Sequence, residues 1–503
     1  MTESLSLPAR ISRRAFIAGT VATGFAIAGC SRAQTGRIPS DRIGAVEAVR
    51  PHTGRTVPVE LSPGQAEIDL GGSRADTFAY GDTVPGPLIR ANVGDELAVT
   101  VKNRLGHSTS VHWHGIALRN DMDGAAPASP DIQPRTDFVY RFSVPHPGTY
   151  WAHPHTGLDL DTGLYLPIVV DDPAEPGAFD AEWIVVLDDW TDGIGSTPQQ
   201  IYDGLRGSSM NGMPGMGGMP HMGEMPGMGG AGSRGLLGGD AGDVNYPYYL
   251  VNGRIPAAPT TFIAKLGQRV RIRIINAGSD TAFRVAVAGH PVIVTHTDGF
   301  PVEPTEVDAV LVGMGERYDV TITAGDGVFP LVAAAEGKDA VARALLKTGA
   351  GTAPEPAYQP PEFAGRVATV DSLTATPEVD LGSAKPDTAL TAELSGGMMA
   401  YDWTINGRPF ADAEPLTVQQ GQRVSLTFSN MSMMWHPMHL HGHTFQVVKP
   451  DGSPGARKDT VIVRPMQTMT VDFVADNPGE WMLHCHNAYH QEAGMMTSLS
   501  YVI

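Results

Sequence analysis

Cysteine is nearly absent from this 503-residue chain, which has only Cys30 and Cys485. At most one disulfide could form, so a disulfide framework cannot be what holds the fold together. Basic residues are also scarce: 35 Lys and Arg stand against 54 Asp and Glu, giving a formal charge of −19. Without a basic face to neutralise phosphates, a nucleic-acid partner is argued against. An acidic surface would attract a cationic substrate, although an ordinary soluble exported protein has the same balance. Long apolar runs are missing as well. The one apolar stretch, residues 15–29, is too short and too rich in small residues to span a bilayer comfortably. Glycine and proline are plentiful, 59 and 40 residues, which points to many turns and short strands. The length suffices for two to four domains, each with its own core.

The N-terminus reads as a targeting segment, and residues 1–43 are expected to take no part in the fold. Ser12-Arg13-Arg14-Ala15-Phe16-Ile17 resembles a twin-arginine export signal, and Ile27-Ala28-Gly29-Cys30 resembles a bacterial lipobox. The expectation is export by the twin-arginine route and a lipid on Cys30. That lipid would anchor the protein on the outer face of the cytoplasmic membrane, in the periplasm or cell envelope. Acylation of Cys30 leaves one thiol, Cys485. An exported protein that keeps a single thiol is expected to use it for chemistry.

One pattern recurs three times. Gly94 to Asn103, Gly267 to Asn276 and Gly421 to Asn430 each run from a turn glycine through an alternating apolar strand to an asparagine nine residues on. Copies 173 and 154 residues apart are too distant for a solenoid and predict three consecutive β-sandwich domains, an all-β fold. The expected boundaries are 44–173, 174–358 and 359–503. Nine and eleven residues after the asparagine stand His112 and His114 in the first copy and His439 and His441 in the third. The middle copy has Val285 and Val287. Likewise, His153 and His155 follow Gly148 at the offsets at which His484 and His486 follow Gly479, whereas Val332 and Ala334 follow Gly327. The middle domain therefore reads as a spacer that holds the outer two face to face.

Residues i and i+2 of a strand point to one side, so each His-x-His pair aims two imidazoles at one point. A single such histidine is usually a hydrogen-bonded core residue. Eight at matched places in two domains need a cation to share, because an empty cluster would be heavily desolvated. Cys485 sits between His484 and His486, with His490 five residues on, Met495 ten residues on and His436 just before His439. Two histidines, a thiolate and a distant thioether form the ligand set of a blue-copper electron-transfer site. The Cys-x₂-Cys spacings of structural zinc are absent from the sequence.

These motifs, His112-Trp-His-Gly115, His153-Pro-His155, His436-Pro-Met-His-Leu-His-Gly442 and His484-Cys-His-Asn-Ala-Tyr-His490 through Met495, resemble those of three-domain multicopper oxidases. The similarity covers nearly all of residues 44–503 and is nearest to bacterial cuprous oxidases of copper resistance, especially the mycobacterial lipoprotein type. It implies cupredoxin-like domains and four copper ions. The type 1 copper would fall to His436, Cys485, His490 and Met495, and the type 2 copper to His112 and His439. One type 3 copper would fall to His114, His153 and His486, the other to His155, His441 and His484. It further implies one-electron oxidation of substrate coupled to four-electron reduction of dioxygen to water, with Asp123 assisting as a nearby acid. Another acid found in some relatives is replaced by Gln491, with Glu492 beside it as a candidate.

Between 208 and 230, methionines recur every third residue at Met210, Met213, Met216, Met219, Met222, Met225 and Met228, separated mainly by glycine and proline. Such a segment cannot pack a core, and its soft thioethers favour Cu(I); His221 could join them. Met434 matches a substrate-copper ligand of cuprous oxidases, while the acid expected two residues earlier is Ser432. Met433, Met438 and Met496 are expected to pack in the core. Cu(I) is thus the expected substrate and phenols or aromatic amines the alternative. A monomer is expected. A copper-sequestering lipoprotein without catalysis is the rival of another class, and the intact ligand set weighs against it.

Overall fold

The computed structural model describes residues 38–175, 179–210 and 235–502, with no side-chain description at 208–210. The export signal, Cys30, His221 and Met213 through Met228 lie outside the described residues, as does the side chain of Met210. Among the described residues no helix is long and apolar enough to cross a membrane.

Strands dominate, and they form three sandwiches on one plan. In each, the repeat strand pairs parallel with an earlier strand and antiparallel with a later one. Glu96–Lys102 lies between Thr56–Leu61 and Asp137–Ser143. Arg269–Asn276 lies between Ala181–Trp190 and Arg317–Thr323. Arg423–Asn430 lies between Thr388–Gly397 and Thr468–Val474. The turn glycines Gly94, Gly267 and Gly421 hold φ between +80° and +86°, a region closed to most side chains.

The repeat asparagine does one job three times. The Asn103 side-chain amide donates to the carbonyls of His107 and Ile132, and its oxygen accepts the N–H of Leu105. Asn276 does the same for Thr281, Val312 and Gly278, and Asn430 for Met434, Val463 and Ser432. Each asparagine thus pins the loop that feeds the next strand, which explains why the histidine pairs fall at a fixed distance after it. At the matching places of the middle sandwich, Val285, Val287 and Val332 are buried core residues.

Three details differ from the sequence expectation. Ile38 and Ile43, within the presumed tether, are buried, and the helix Ser40–Val49 is tied down where Glu47 accepts the backbone N–H and hydroxyl of Ser143. Val367–Ala368, beyond the expected junction at 358, pairs with Ala309–Val312 as an edge strand of the middle sandwich. The middle sandwich is also more than a spacer. Its repeat strand is buried on both faces, and Arg271 and Arg273 meet Asp319, which also accepts the hydroxyl of Thr149 from the first sandwich.

Candidate metal centres

Strand order brings the histidines together. His112–His114 runs antiparallel to Gly148–His153 with His112 opposite His153. His436–Leu440 runs antiparallel to Glu480–Cys485 with His439 opposite His484 and Met438 opposite Cys485. The ligand-bearing faces of the outer sandwiches meet, so that His114 stacks on His439 at 3.8 Å and His112 on His441 at 3.7 Å between ring centroids.

Within this contact the donor atoms converge in threes. His114 joins His153 and His486, His155 joins His441 and His484, and His112 and His439 converge with His114. His486 Nε2 lies 3.2 Å from His114 Nδ1, and His484 Nε2 lies 3.3 Å from His155 Nε2 and 3.1 Å from His441 Nε2. Two imidazoles bound to one ion at about 2.0 Å each would stand about 3.2 Å apart, so the spacing fits a shared metal. The Nε2 atoms of His112, His153 and His439 are buried without any hydrogen-bond partner. On the far side of the rings, Nδ1 of His112, His153, His439 and His484 donates to the carbonyls of Asp123, Pro154, Asp459 and Cys485. That bond fixes the tautomer and leaves the inward nitrogen as a lone pair for a metal. Burial first, then the neighbouring imidazoles, holds His114, His153, His441, His484 and His486 well below the usual histidine range, and His155 down to about 3. All six are therefore neutral at physiological pH, the state that ligates metal.

A second centre lies in the third sandwich. His436 Nδ1 and His490 Nδ1 are 3.2 Å apart, and each is 3.7 Å from Cys485 Sγ. Those separations match two nitrogens at about 2.0 Å and a sulfur at about 2.3 Å around one ion in a near-trigonal arrangement. Asn487 accepts the N–H groups of Tyr489 and His490 and so starts the short helix that aims His490 inward. The fully buried Met495 closes the loop, its carbonyl accepting the Cys485 N–H and its N–H donating to the His490 carbonyl. The outer nitrogens are held by Ser432, 2.8 Å from His436 Nε2, and by Asp243, 3.0 Å from His490 Nε2. Burial alone would lower the His490 pKa, but Asp243 and Cys485 together outweigh it and raise it to about 10.

The remaining expected residues divide. Asp123 is buried, with Oδ2 2.8 Å from His441 Nδ1 and Oδ1 3.4 Å from His112 Nδ1. Glu492 is exposed on the helix Ala488–Glu492 and belongs to none of the converging groups; Gln491 beside it is buried. Met434 and Met438 are buried and Met496 half-buried, but Met433 is 75% exposed rather than in the core. Its loop carries Ser432, which turns inward to His436 and leaves the flanking side chains outside. Sequence reasoning missed Asp243, Asp459 and Arg317. The one available signal was the charged pair Lys458-Asp459 directly before the apolar strand Thr460–Val463.

Three multicopper oxidase family profiles match the chain, over residues 63–175, 181–352 and 384–502. Multicopper oxidase MmcO of Mycobacterium tuberculosis is 60% identical over 98% of this chain and 97% of its own.

The chain is a multicopper oxidase.

The oxidase is also 27% identical to a copper resistance protein A homolog of Pseudomonas syringae pv. tomato, over 97% of this chain and 99% of that one. The laccase of Botrytis aclada superposes with a TM-score of 0.69 at 25% identity, covering 90% of the oxidase and 89% of the laccase. The cupredoxin-like sandwiches, the oxidation of substrate at the expense of dioxygen and the copper cofactor, four ions in all, follow from membership.

Proposed function

We propose that this oxidase converts Cu(I) to Cu(II) and so lowers the toxicity of copper in the cell envelope. The observation that carries the reading is where the methionine-rich segment leaves and rejoins the fold. Before it, Tyr202 donates to the Glu492 carbonyl at 3.2 Å and packs edge-on against Tyr401. After it, Leu237 packs in one cluster with Trp435, and Asp240 accepts the Trp435 N–H at 3.3 Å. Asp243 then reaches His490 itself. Both flanks of a thioether-rich stretch are thus seated on the loops that hold His436 and His490. The third sandwich, which carries those loops, exposes methionine too. Among the described residues, five of the eleven exposed large hydrophobics are Met398, Met399, Met431, Met433 and Met466, all in the third sandwich. Met466 is tied to the Met431–Met433 loop through the Ser432 carbonyl. Soft sulfur at a copper-oxidising face favours Cu(I) over a phenol.

In this reading His436, Cys485, His490 and Met495 hold the type 1 copper that receives the electron. His112 and His439 hold type 2, and His114, His153 and His486 with His155, His441 and His484 hold the type 3 pair. Four coppers supply four single electrons, the number that dioxygen needs to become water. The chain provides the connection, since Cys485 is bonded through the backbone to both flanking ligands, His484 and His486. Asp123, between His112 and His441, is the acid suited to hold a proton beside the cluster. The same reading includes twin-arginine export, a lipid on Cys30, attachment to the outer face of the membrane, and a monomer.

Oxygen uptake by copper-loaded protein tests it, with Cu(I) and a phenol as alternative donors. Deleting residues 208–230 is expected to cut Cu(I) oxidation far more than phenol oxidation. Equal loss of both, or no loss, refutes the role of the segment, and an absence of Cu(I)-driven uptake by the intact protein refutes the substrate. A phenol-oxidising laccase remains the second reading because it shares every ligand.

A further inference from the structure

The middle sandwich supplies none of the histidines, yet one of its side chains reaches all three sandwiches at the histidine cluster. Arg317 is completely buried. Its Nε–H donates to the Thr149 carbonyl at 3.0 Å, on the first-sandwich strand that ends in His153. Its Nη1–H donates to the Gly315 carbonyl in its own turn at 3.0 Å. The two ends of the fork donate to the two oxygens of Asp459 in the third sandwich, at 2.8 and 2.6 Å.

Asp459 in turn meets imidazoles of both outer sandwiches. Its Oδ1 is 3.2 Å from Nε2 of His114, whose Nδ1 faces His486, and its carbonyl accepts the Nδ1–H of His439 at 2.9 Å. The hydroxyl of Thr460 donates to the same carboxylate and lies 3.1 Å from both rings. A second middle-sandwich residue fixes this segment from behind. Asp298 accepts the N–H groups of Asp459 and Thr460 and pairs with Lys458 at 3.2 Å, while its other oxygen accepts the Arg317 N–H. The backbone is pressed close as well, since a Cβ on Gly315 would stand 2.9 Å from the rings of His114 and His486.

We infer that Arg317, acting through Asp459, is the positioning residue by which the middle sandwich holds His114 and His439 in register for the trinuclear copper site. The planar fork is needed, because a lysine ammonium cannot span both carboxylate oxygens and the Thr149 carbonyl together. Groups that orient a metal ligand from behind change metal affinity by about 10–100-fold when lost. The type 1 site, built from His436, Cys485 and His490, has no hydrogen bond to this network and should be spared.

The test uses the copper-loaded protein with Arg317→Gln and Arg317→Lys, followed by chelator competition. The intensity of the blue band reports type 1 copper, the paramagnetic type 2 signal reports the trinuclear site, and copper per chain is counted. Both variants are expected to keep the blue band while the other three coppers become about 10–100-fold easier to remove, with lysine failing to restore them fully. Native resistance to the chelator in Arg317→Gln overturns the inference. So does parallel loss of blue copper and the other three, which would make Arg317 a general support of the fold. Should Arg317→Gln fail to accumulate as folded protein, Arg317→Lys decides on the same two readouts: loss confined to the three coppers supports positioning, and no loss or parallel loss refutes it.

Discussion

Replacing Asp243 by asparagine should raise the potential of the type 1 copper. The carboxylate is buried, accepts the Tyr401 hydroxyl at 2.7 Å and stands 3.0 Å from His490 Nε2, on the opposite side of the ring from the Nδ1 that faces Cys485. Asparagine can keep both contacts through its oxygen, so the substitution removes charge with little change of shape. A negative charge favours the more positive, oxidised ion. Placed about 7 Å from the redox centre at an effective dielectric of about 20, it contributes about 2.4 kcal/mol. At about 59 mV for each tenfold change in a one-electron equilibrium, that corresponds to about 100 mV, with asparagine's dipole returning part of it. A rise of about 50–100 mV is therefore expected, read by titrating the blue band against redox mediators. A potential that stays within a small fraction of that rise, or falls, while the blue band remains intact, refutes the reasoning.

Cys485→Ser removes the only thiolate from the type 1 set, so the blue band and oxidation of any donor should vanish while the trinuclear coppers stay; a copper count per chain against spectra checks it. Asp319→Ala leaves the buried Arg271 and Arg273 with only Glu175 and Glu182 as acidic partners and should cost about 3–5 kcal/mol of stability, measured by denaturant unfolding of the apoprotein. The same group sets an acid limit. Burial pushes its pKa up, but Arg271 and Arg273 outweigh burial and hold it well below the usual carboxylate range. A depressed folded-state pKa gives stability that is complete above the unfolded value of about 3.9 and drains away as pH falls toward the folded one. Unfolding curves taken down through that range should show the wild type losing stability and Asp319→Ala losing less.

The parts of this molecule that repeat were legible in its sequence. The alternation in residues 94–103, 267–276 and 421–430 marked a strand in each sandwich, and pairs at i and i+2 told which imidazoles share a face. Cys485 among His484, His486 and His490 was legible because strand and short helix bring them together locally. What stayed hidden depends on contacts with no period. Asp243 reaches His490 from 247 residues away, and Arg317 reaches Asp459 from 142. Neither carries a local pattern that separates it from a surface charge. Met433, expected in the core, is exposed, and so is the candidate acid Glu492. Each sits beside buried residues, Gln491 in one case and Ser432 and Met434 in the other, so position in the sequence alone does not tell which way the side chain faces. The middle sandwich was read as a spacer because it lacks the paired histidines, whereas its contribution is made through arginine and aspartate.

Val285, Val287, Val332 and Ala334 occupy the middle sandwich where the outer two carry imidazoles, and the asparagine clamp survives there. The middle sandwich therefore builds this plan with no ligand histidines in it. In the outer two, the same asparagine and glycine devices frame the histidines, so the shape around each metal position is written into the chain and not left to the ion.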